Sequence, residues 1–357
     1  MLYFLIKLMA ITAIRTFFNK ISAENVDYIA KDTPIIFTAN HPNTMLDPMI
    51  IGYTCKRKLH FFAKSTLFNN LIAGWFLRRI QIVPVYRKVD DPSKMDQNKE
   101  TFSKGYEILK QNKAFLIFPE GISTGDRKLS QIKTGAARIG FGAEAENDWQ
   151  LGVQIIPVGL NYANAIKFRS DVSTRFGQPI QLTDFRDVYE QNEKEAVHLV
   201  TEQIETALSK LTINLKDLEM QEIVEALERI YKQELAVDLG LETENKADDF
   251  SVTKGLINAV EWYYENEPSK VNEFKGMLNL YQRLLNRLQI KDEFLDPASS
   301  RVTFWERIKA ILYIIIMFPI YLYGLINNVI PYKFPRWYAR HFVQHKAEVA
   351  PWKMLSG

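Results

Sequence analysis

Cysteine is nearly absent from this chain. The 357 residues contain one, Cys55, so no disulfide can close within the chain and no multi-cysteine metal site can be built. That usage fits a reducing compartment. Cys55 stands beside Lys56-Arg57-Lys58, which can activate a thiol, but an inert side chain is the plainer reading. Histidine is scarce too, with five residues. His341 and His345 are four apart, a spacing able to hold a metal, yet no third ligand pattern accompanies them. No metal and no bound cofactor are expected. His60 and His198 have no partner nearby in sequence and read as structural. Internal repeats and low-complexity tracts are also lacking.

Charge of one sign is missing from particular regions rather than from the whole. The net charge is only +3. Residues 1–90 carry 12 Lys and Arg against 5 Asp and Glu, and residues 301–357 carry 8 against 2, so the two ends hold +7 and +6 and the middle −10. Both basic ends coincide with the most apolar segments. That pairing suits an anionic membrane surface better than nucleic acid.

No continuously apolar run reaches comfortable membrane-spanning length. Residues 1–18 are apolar but interrupted by Lys7 and Arg15, and they lack a signal peptide's basic start and cleavage site. They read either as an in-plane interfacial helix or as a helix packed on the core. Residues 310–326 are 17 uncharged, mostly apolar residues. At ~1.5 Å per residue they reach about 26 Å, near the lower limit for spanning. Pro319 should kink them, and basic residues bracket both ends.

Between these ends, residues 33–180 alternate strand-like and helix-like segments. Strands are expected at Pro34–Thr38, Phe61–Ala63, Ile80–Tyr86, Ala114–Phe118 and Val153–Tyr162. Pro157 marks the last as a kinked edge strand. Helices are expected at 49–54, 93–112 and 133–145. This alternation argues for an α/β fold with a mixed sheet flanked by helices. Residues 190–235 and 252–290 read as helical, separated by a polar loop at Glu242–Asp249. The expected division is a membrane-interacting helix (1–20), an α/β domain (21–215), an accessory helical region (216–300), and an apolar membrane segment with a basic tail (301–357).

Three stretches carry chemistry. Ala39-Asn40-His41-Pro42-Asn43-Thr44-Met45-Leu46-Asp47-Pro48 places a histidine and a carboxylate on a strand-to-helix loop. Imidazole can take a proton from an alcohol near neutral pH. A carboxylate on the far ring nitrogen would fix its tautomer. Because Pro48 disfavours αR at Asp47, Asp47 is expected as a helix N-cap with Pro48 at the first helical position. Phe118-Pro119-Glu120-Gly121-Ile122-Ser123-Thr124-Gly125-Asp126-Arg127 is a glycine-rich turn whose amides could face an anion, with Arg127 and Lys133 adding positive charge. Ile156-Pro157-Val158-Gly159 follows on another strand.

In this order the blocks resemble the glycerolipid acyltransferase family of glycerol-3-phosphate and lysophosphatidate acyltransferases, over roughly residues 33–180. Most members carry N-H-x-x-x-x-D. Here five residues separate His41 from Asp47, which resembles the branch in which H-P-N opens the motif, as in yeast-type glycerol-3-phosphate acyltransferases. The resemblance implies a glycerol-phosphate acyltransferase-like fold, His41 as base and Asp47 as its partner. It implies phosphate and acceptor binding by Arg87, Glu120, Gly121, Ser123, Arg127 and Lys133. Ser123 stands where the family usually has an arginine, and Arg127 would substitute for it.

The reaction so implied moves a fatty acyl group from acyl-CoA or acyl carrier protein to a hydroxyl of glycerol-3-phosphate or lysophosphatidate. It would run at the cytoplasmic face of the inner or plasma membrane. Acylation of another lysophospholipid or amino-lipid, a phosphate-binding membrane adaptor with a dead site, and a lipid hydrolase are the rival readings.

Overall fold

The structure, a computed structural model, describes residues 2–79, 82–86, 96, 98–123, 128–165, 167–215, 220–241, 246–289 and 304–342. The described residues up to Asn214 form one compact unit and those from Leu215 a second. In the first, α1 (Leu2–Phe17) leads to β1 (Ile21–Glu24). β2 (Ile35–Ala39) is followed by α2 (Leu46–Thr54), β3 (Leu59–Lys64) by α3 (Leu71–Arg79), β4 (Val83–Val85) by α4 (Asn98–Lys110), and β5 (Ala114–Ile117) by α5 (Gly135–Ala145). Then come β6 (Gln154–Tyr162), β7 (Val172–Phe176), β8 (Ile180–Gln181), α6 (Arg186–Gln191) and α7 (Glu193–Leu211).

The strands make one mixed sheet in the order β1-β7-β6-β2-β5-β3-β4, with β8 also paired to β6. β6, β2, β5, β3 and β4 run parallel. β7 and β8 run antiparallel to β6. All five residues of β2 are buried, as a central strand covered on both faces requires. Strand alternation sends them to opposite sides. Ile35, Phe37 and Ala39 join Ile14 and Phe17 of α1 and Ile50 and Ile51 of α2. Ile36 joins Leu109 of α4, Ile139 of α5 and Val200 of α7. The result is three layers, helix on sheet on helix.

The structure places Pro157 differently from the expected edge strand. β6 lies between β2 and β7, and Pro157 is in register with Thr38 of β2. Its carbonyl accepts from Gly177 N–H at 2.8 Å, in the gap between the end of β7 and the start of β8. A residue's N–H and C=O point to the same side of a strand, so the missing donor falls in that gap and the β2 ladder loses nothing. This is how a central strand tolerates proline.

Boundaries shift elsewhere. The β4 strand is shorter than the expected 80–86 span, whose residues 80–81 lie outside the described ones. In the second unit, α8 (Gln221–Ile230), α9 (Lys232–Asp238), α10 (Lys246–Asn266) and α11 (Pro268–Leu288) are helical, as is α12 (Phe304–Phe342). The 190–235 run is broken near Thr212, and 252–290 is split at Glu267, with Pro268 opening α11. The expected acidic loop is helical from Lys246, where Asp248 and Asp249 fit a helix's first turn.

The expected membrane segment is also corrected. Among the described residues, no helix is long and apolar enough to cross a membrane. The apolar run begins after Lys309 and is broken after 17 residues by the polar Asn327 and Asn328, short of the ~20 apolar residues that a span needs. α12 continues through Pro319. At the N-terminus, Ile14 and Phe17 are buried in the core, so the second half of α1 packs on the protein itself.

Close packing of α7 on β6 depends on Gly159. A Cβ there would overlap the Leu211 carbonyl oxygen, which is backbone and cannot swing aside. Gly159→Ala should cost about 1–3 kcal/mol of stability, read from urea unfolding. An unchanged midpoint would show that α7 can shift outward.

Candidate active site

The five parallel strands end at one edge of the sheet, where ligands bind in open α/β folds. β2 ends at Ala39, and Asn40 then clamps β6: its Nδ2 donates to Leu160 O at 3.0 Å, and Leu160 N–H donates to its Oδ1 at 2.7 Å. His41 follows immediately. Its Nδ1 lies 2.8 Å from Asp47 Oδ2. With the ring proton on Nδ1, donation to the carboxylate leaves Nε2 as the basic nitrogen. The ring stacks on Phe118 at 3.8 Å and 12° and keeps a 19% exposed side chain.

Asp47 is fully buried. An unpaired carboxylate could not remain charged there, and three donors hold it. Besides His41, the backbone N–H of Asn43 donates to Oδ2 at 2.7 Å and the Tyr162 hydroxyl donates to Oδ1 at 2.5 Å. Tyr162 ends β6, and its own pKa is raised well above the usual value by burial and then by Asp47.

Asp47 is not the helix N-cap. Met45 holds that position and α2 begins at Leu46, because Leu46 N–H donates to the Asn43 carbonyl and closes a turn ahead of Asp47. Between His41 and Asp47 the loop turns through Thr44, whose φ is 35°. Asn43 ties this loop to the next connection through Nδ2 to Ala165 O at 2.8 Å.

Glu120 braces the site from β5. Oε1 accepts from His41 N–H at 2.9 Å and Oε2 from Ser130 N–H at 2.8 Å. Burial pushes its pKa up, against the pull of those two donors. Ser123, expected among phosphate ligands, accepts from Thr44 N–H at 3.2 Å, so it supports the histidine loop. Gly121 has φ +70°, and the Lys133 ammonium sits where a Cβ on it would be. Lys133 is exposed and its N–H donates to Pro119 O at 2.9 Å. Histidine, carboxylates and one lysine thus meet at a single edge. Arg87, Arg127, Thr124 and Gly125 lie outside the described residues.

Residues 121–125 also spell Gly-x-Ser-x-Gly, the wording of a hydrolase nucleophile elbow. An elbow serine sits on a tight turn from strand straight into helix. Here β5 ends at Ile117 and the next helix starts at Gly135, and Ser123 Oγ is engaged by Thr44. Sequence reasoning overlooked Tyr162, because nothing local links it to a carboxylate 115 positions away. Cys55 and His60 are buried, as their structural readings expect. Among the described residues no cluster of three His, Cys, Asp or Glu could hold a metal.

Residues 20–161 match the family model described as Acyltransferase. The chain is similar to glycerol-3-phosphate O-acyltransferase 1 of Saccharomyces cerevisiae, 26% identical over 58% of this chain and 26% of that protein. It is similar to glycerol-3-phosphate O-acyltransferase 2 of the same yeast, 32% identical over 38% of this chain and 18% of that protein. The chain thus spans about a quarter or less of those relatives' length. A 1-acyl-sn-glycerol-3-phosphate acyltransferase of Streptococcus pneumoniae is 28% identical over 52% of this chain and 64% of its own length. Among solved structures, the 1-acyl-sn-glycerophosphate (LPA) acyltransferase PlsC from Thermotoga maritima is similar at a TM-score of 0.42 and 20% identity, over 58% of this chain and 79% of that one.

Because burial raises the Glu120 pKa, the folded protein holds that proton more tightly than the unfolded chain. The group's contribution to stability is complete below the ordinary carboxylate pKa of about 4.3. It is lost as pH rises through the folded value. The stability difference between the native protein and Glu120→Gln should therefore fall as pH rises from about 4 upward, measured by urea melts across a pH series. A difference that grows would mean that the donors from His41 and Ser130 outweigh burial.

Proposed function

We propose that this chain is an O-acyltransferase of phospholipid biosynthesis. It would transfer a fatty acyl group from a thioester of CoA or acyl carrier protein to a hydroxyl of a glycerol phosphate. The observation that carries this reading is the 2.8 Å approach of His41 Nδ1 to Asp47 Oδ2, which leaves Nε2 as a base beside a glycine-rich turn and Lys133. In the proposed step Nε2 takes the proton of the acceptor hydroxyl. The oxygen attacks the thioester carbonyl carbon, and the buried carboxylate stabilises the imidazolium that forms. Collapse of the tetrahedral intermediate breaks the C–S bond, and the thiolate leaves with the proton returned by His41. No serine nucleophile, metal or bound cofactor is needed.

Lys133 would hold the acceptor phosphate, joined by Arg87 and Arg127. Glycerol-3-phosphate is the preferred acceptor, on the likeness to the two yeast proteins and on the H-P-N opening. Lysophosphatidate is second, on the likeness to the pneumococcal protein. The reaction would take place at the cytoplasmic face of the inner or plasma membrane, in contact with lipid. Exposed Ile311, Ile314, Ile315 and Phe318 on α12 support surface contact.

The test offers purified protein in anionic liposomes a labelled acyl thioester with each acceptor separately. His41→Ala should lower turnover by about 10²–10⁴-fold. Tyr162→Phe, which removes one donor from Asp47, should lower kcat about tenfold with KM unchanged. Free fatty acid without acylated lipid would support hydrolysis instead. No product from either donor would leave the adaptor reading.

A further inference from the structure

The exposed large apolar side chains of the first unit are not scattered. Met45 follows β2, Leu71, Trp75 and Phe76 lie on α3 after β3, Ile122 follows β5, and Phe168 follows β6. All belong to connections that leave the C-terminal ends of the parallel strands, the edge that holds His41. Among the described residues of this unit, Leu199 of α7 is the one exposed large apolar side chain that lies neither at this edge nor on α1.

α3 is the most prominent of these. Leu71 is 90% and Trp75 63% exposed, one helical turn apart on the same face. The helix seats on the preceding turn, where Gly74 lies against the Phe68 carbonyl and the Arg78 guanidinium sits 5.5 Å over the Phe68 ring. Leu71, Trp75 and Phe76 thus point away from the core.

The charge along α3 and the chain on either side of it has one sign. No Asp or Glu occurs between Asp47 and Asp90, while Lys64, Arg78 and Arg79 leave or follow β3. Lys133, Lys167 and Arg169, all exposed, stand on neighbouring connections. Apolar tips ringed by cations match an anionic bilayer, with acyl chains below and phosphates at the rim. Tryptophan prefers that boundary, and arginine stems can lie along it with their heads in the phosphate layer. The tips come from four separate connections, so they form a broad face rather than a groove.

We propose that α3 and the strand-end loops around it are a docking face for an anionic phospholipid bilayer, which sets the His41 edge against the lipid surface. This deepens the acyltransferase reading and rests on it for the purpose of docking. Binding and turnover are therefore read separately.

The full chain is mixed with phosphatidylcholine vesicles with and without phosphatidylglycerol. The native protein should sediment with the anionic vesicles. Leu71→Ser together with Trp75→Ser should weaken that binding by about tenfold or more, while the thermal midpoint stays unchanged because both side chains are exposed. An environment-sensitive fluorophore on Leu71→Cys, in a Cys55→Ser background, should shift to the blue on binding. That second readout holds even where another part of the chain also touches lipid. A label that stays in water while the chain is vesicle-bound overturns the proposal. So does vesicle binding by the double variant equal to native, and so does loss of affinity for acyl carrier protein in its place, which would make the face a protein-docking surface. Vesicle binding lost in the double variant, with no acyl transfer by the native chain, would sustain the docking face and sink the acyltransferase reading.

Discussion

A buried carboxylate governs this site. Asp47 is withdrawn from water, and its charge is sustained by three donors that reach it from different parts of the chain: the His41 ring, the Asn43 amide and the Tyr162 hydroxyl. Charge-assisted hydrogen bonds of this kind are about twice as strong as neutral ones. They form only if β2 and β6 keep their register. Asn40 enforces that register by closing both of its amide bonds on Leu160, two residues before Tyr162. The sheet, the histidine loop and the start of α2 are therefore one mechanical object.

Glu120 adds a second tie from the neighbouring strand. It spans His41 and Ser130 through their backbone amides, so it helps to fix where the imidazole stands. Ser123 acts in the same way on Thr44. Both residues, implied as acceptor ligands by family likeness, thus also tie down the loop that carries the base. Lys133, over Gly121 and open to solvent, keeps the character of an anion ligand.

Much of this was legible in the sequence. The runs at 34–38, 114–118 and 153–162 are too apolar for anything but covered strands, and all three lie adjacent in the sheet. His41 and Asp47 were legible as a pair because only five residues separate them on a strand-to-helix loop and the blocks resemble a family that pairs them. The Tyr162 contact was not, since it depends on the β2–β6 pairing, which no local pattern encodes. Pro157 misled because the usual argument assumes a ladder on both sides, whereas here one side is a gap between β7 and β8. The Asp47 position slipped because a proline at the third helical residue was read as one at the first. The 310–326 run misled because local apolarity speaks of contact with something greasy and not of length enough to span.

The account stands or falls on the carboxylate that orients the base. The most direct test is Asp47→Asn, assayed for acyl transfer and for folding by circular dichroism. An amide keeps the shape but presents an N–H where an acceptor is needed, so the favoured ring tautomer is lost. We predict a folded protein with turnover reduced by about 10³–10⁴-fold. Near-native turnover in a folded Asp47→Asn protein would contradict the account, because His41 would then be acting without the partner that the fold is built to hold.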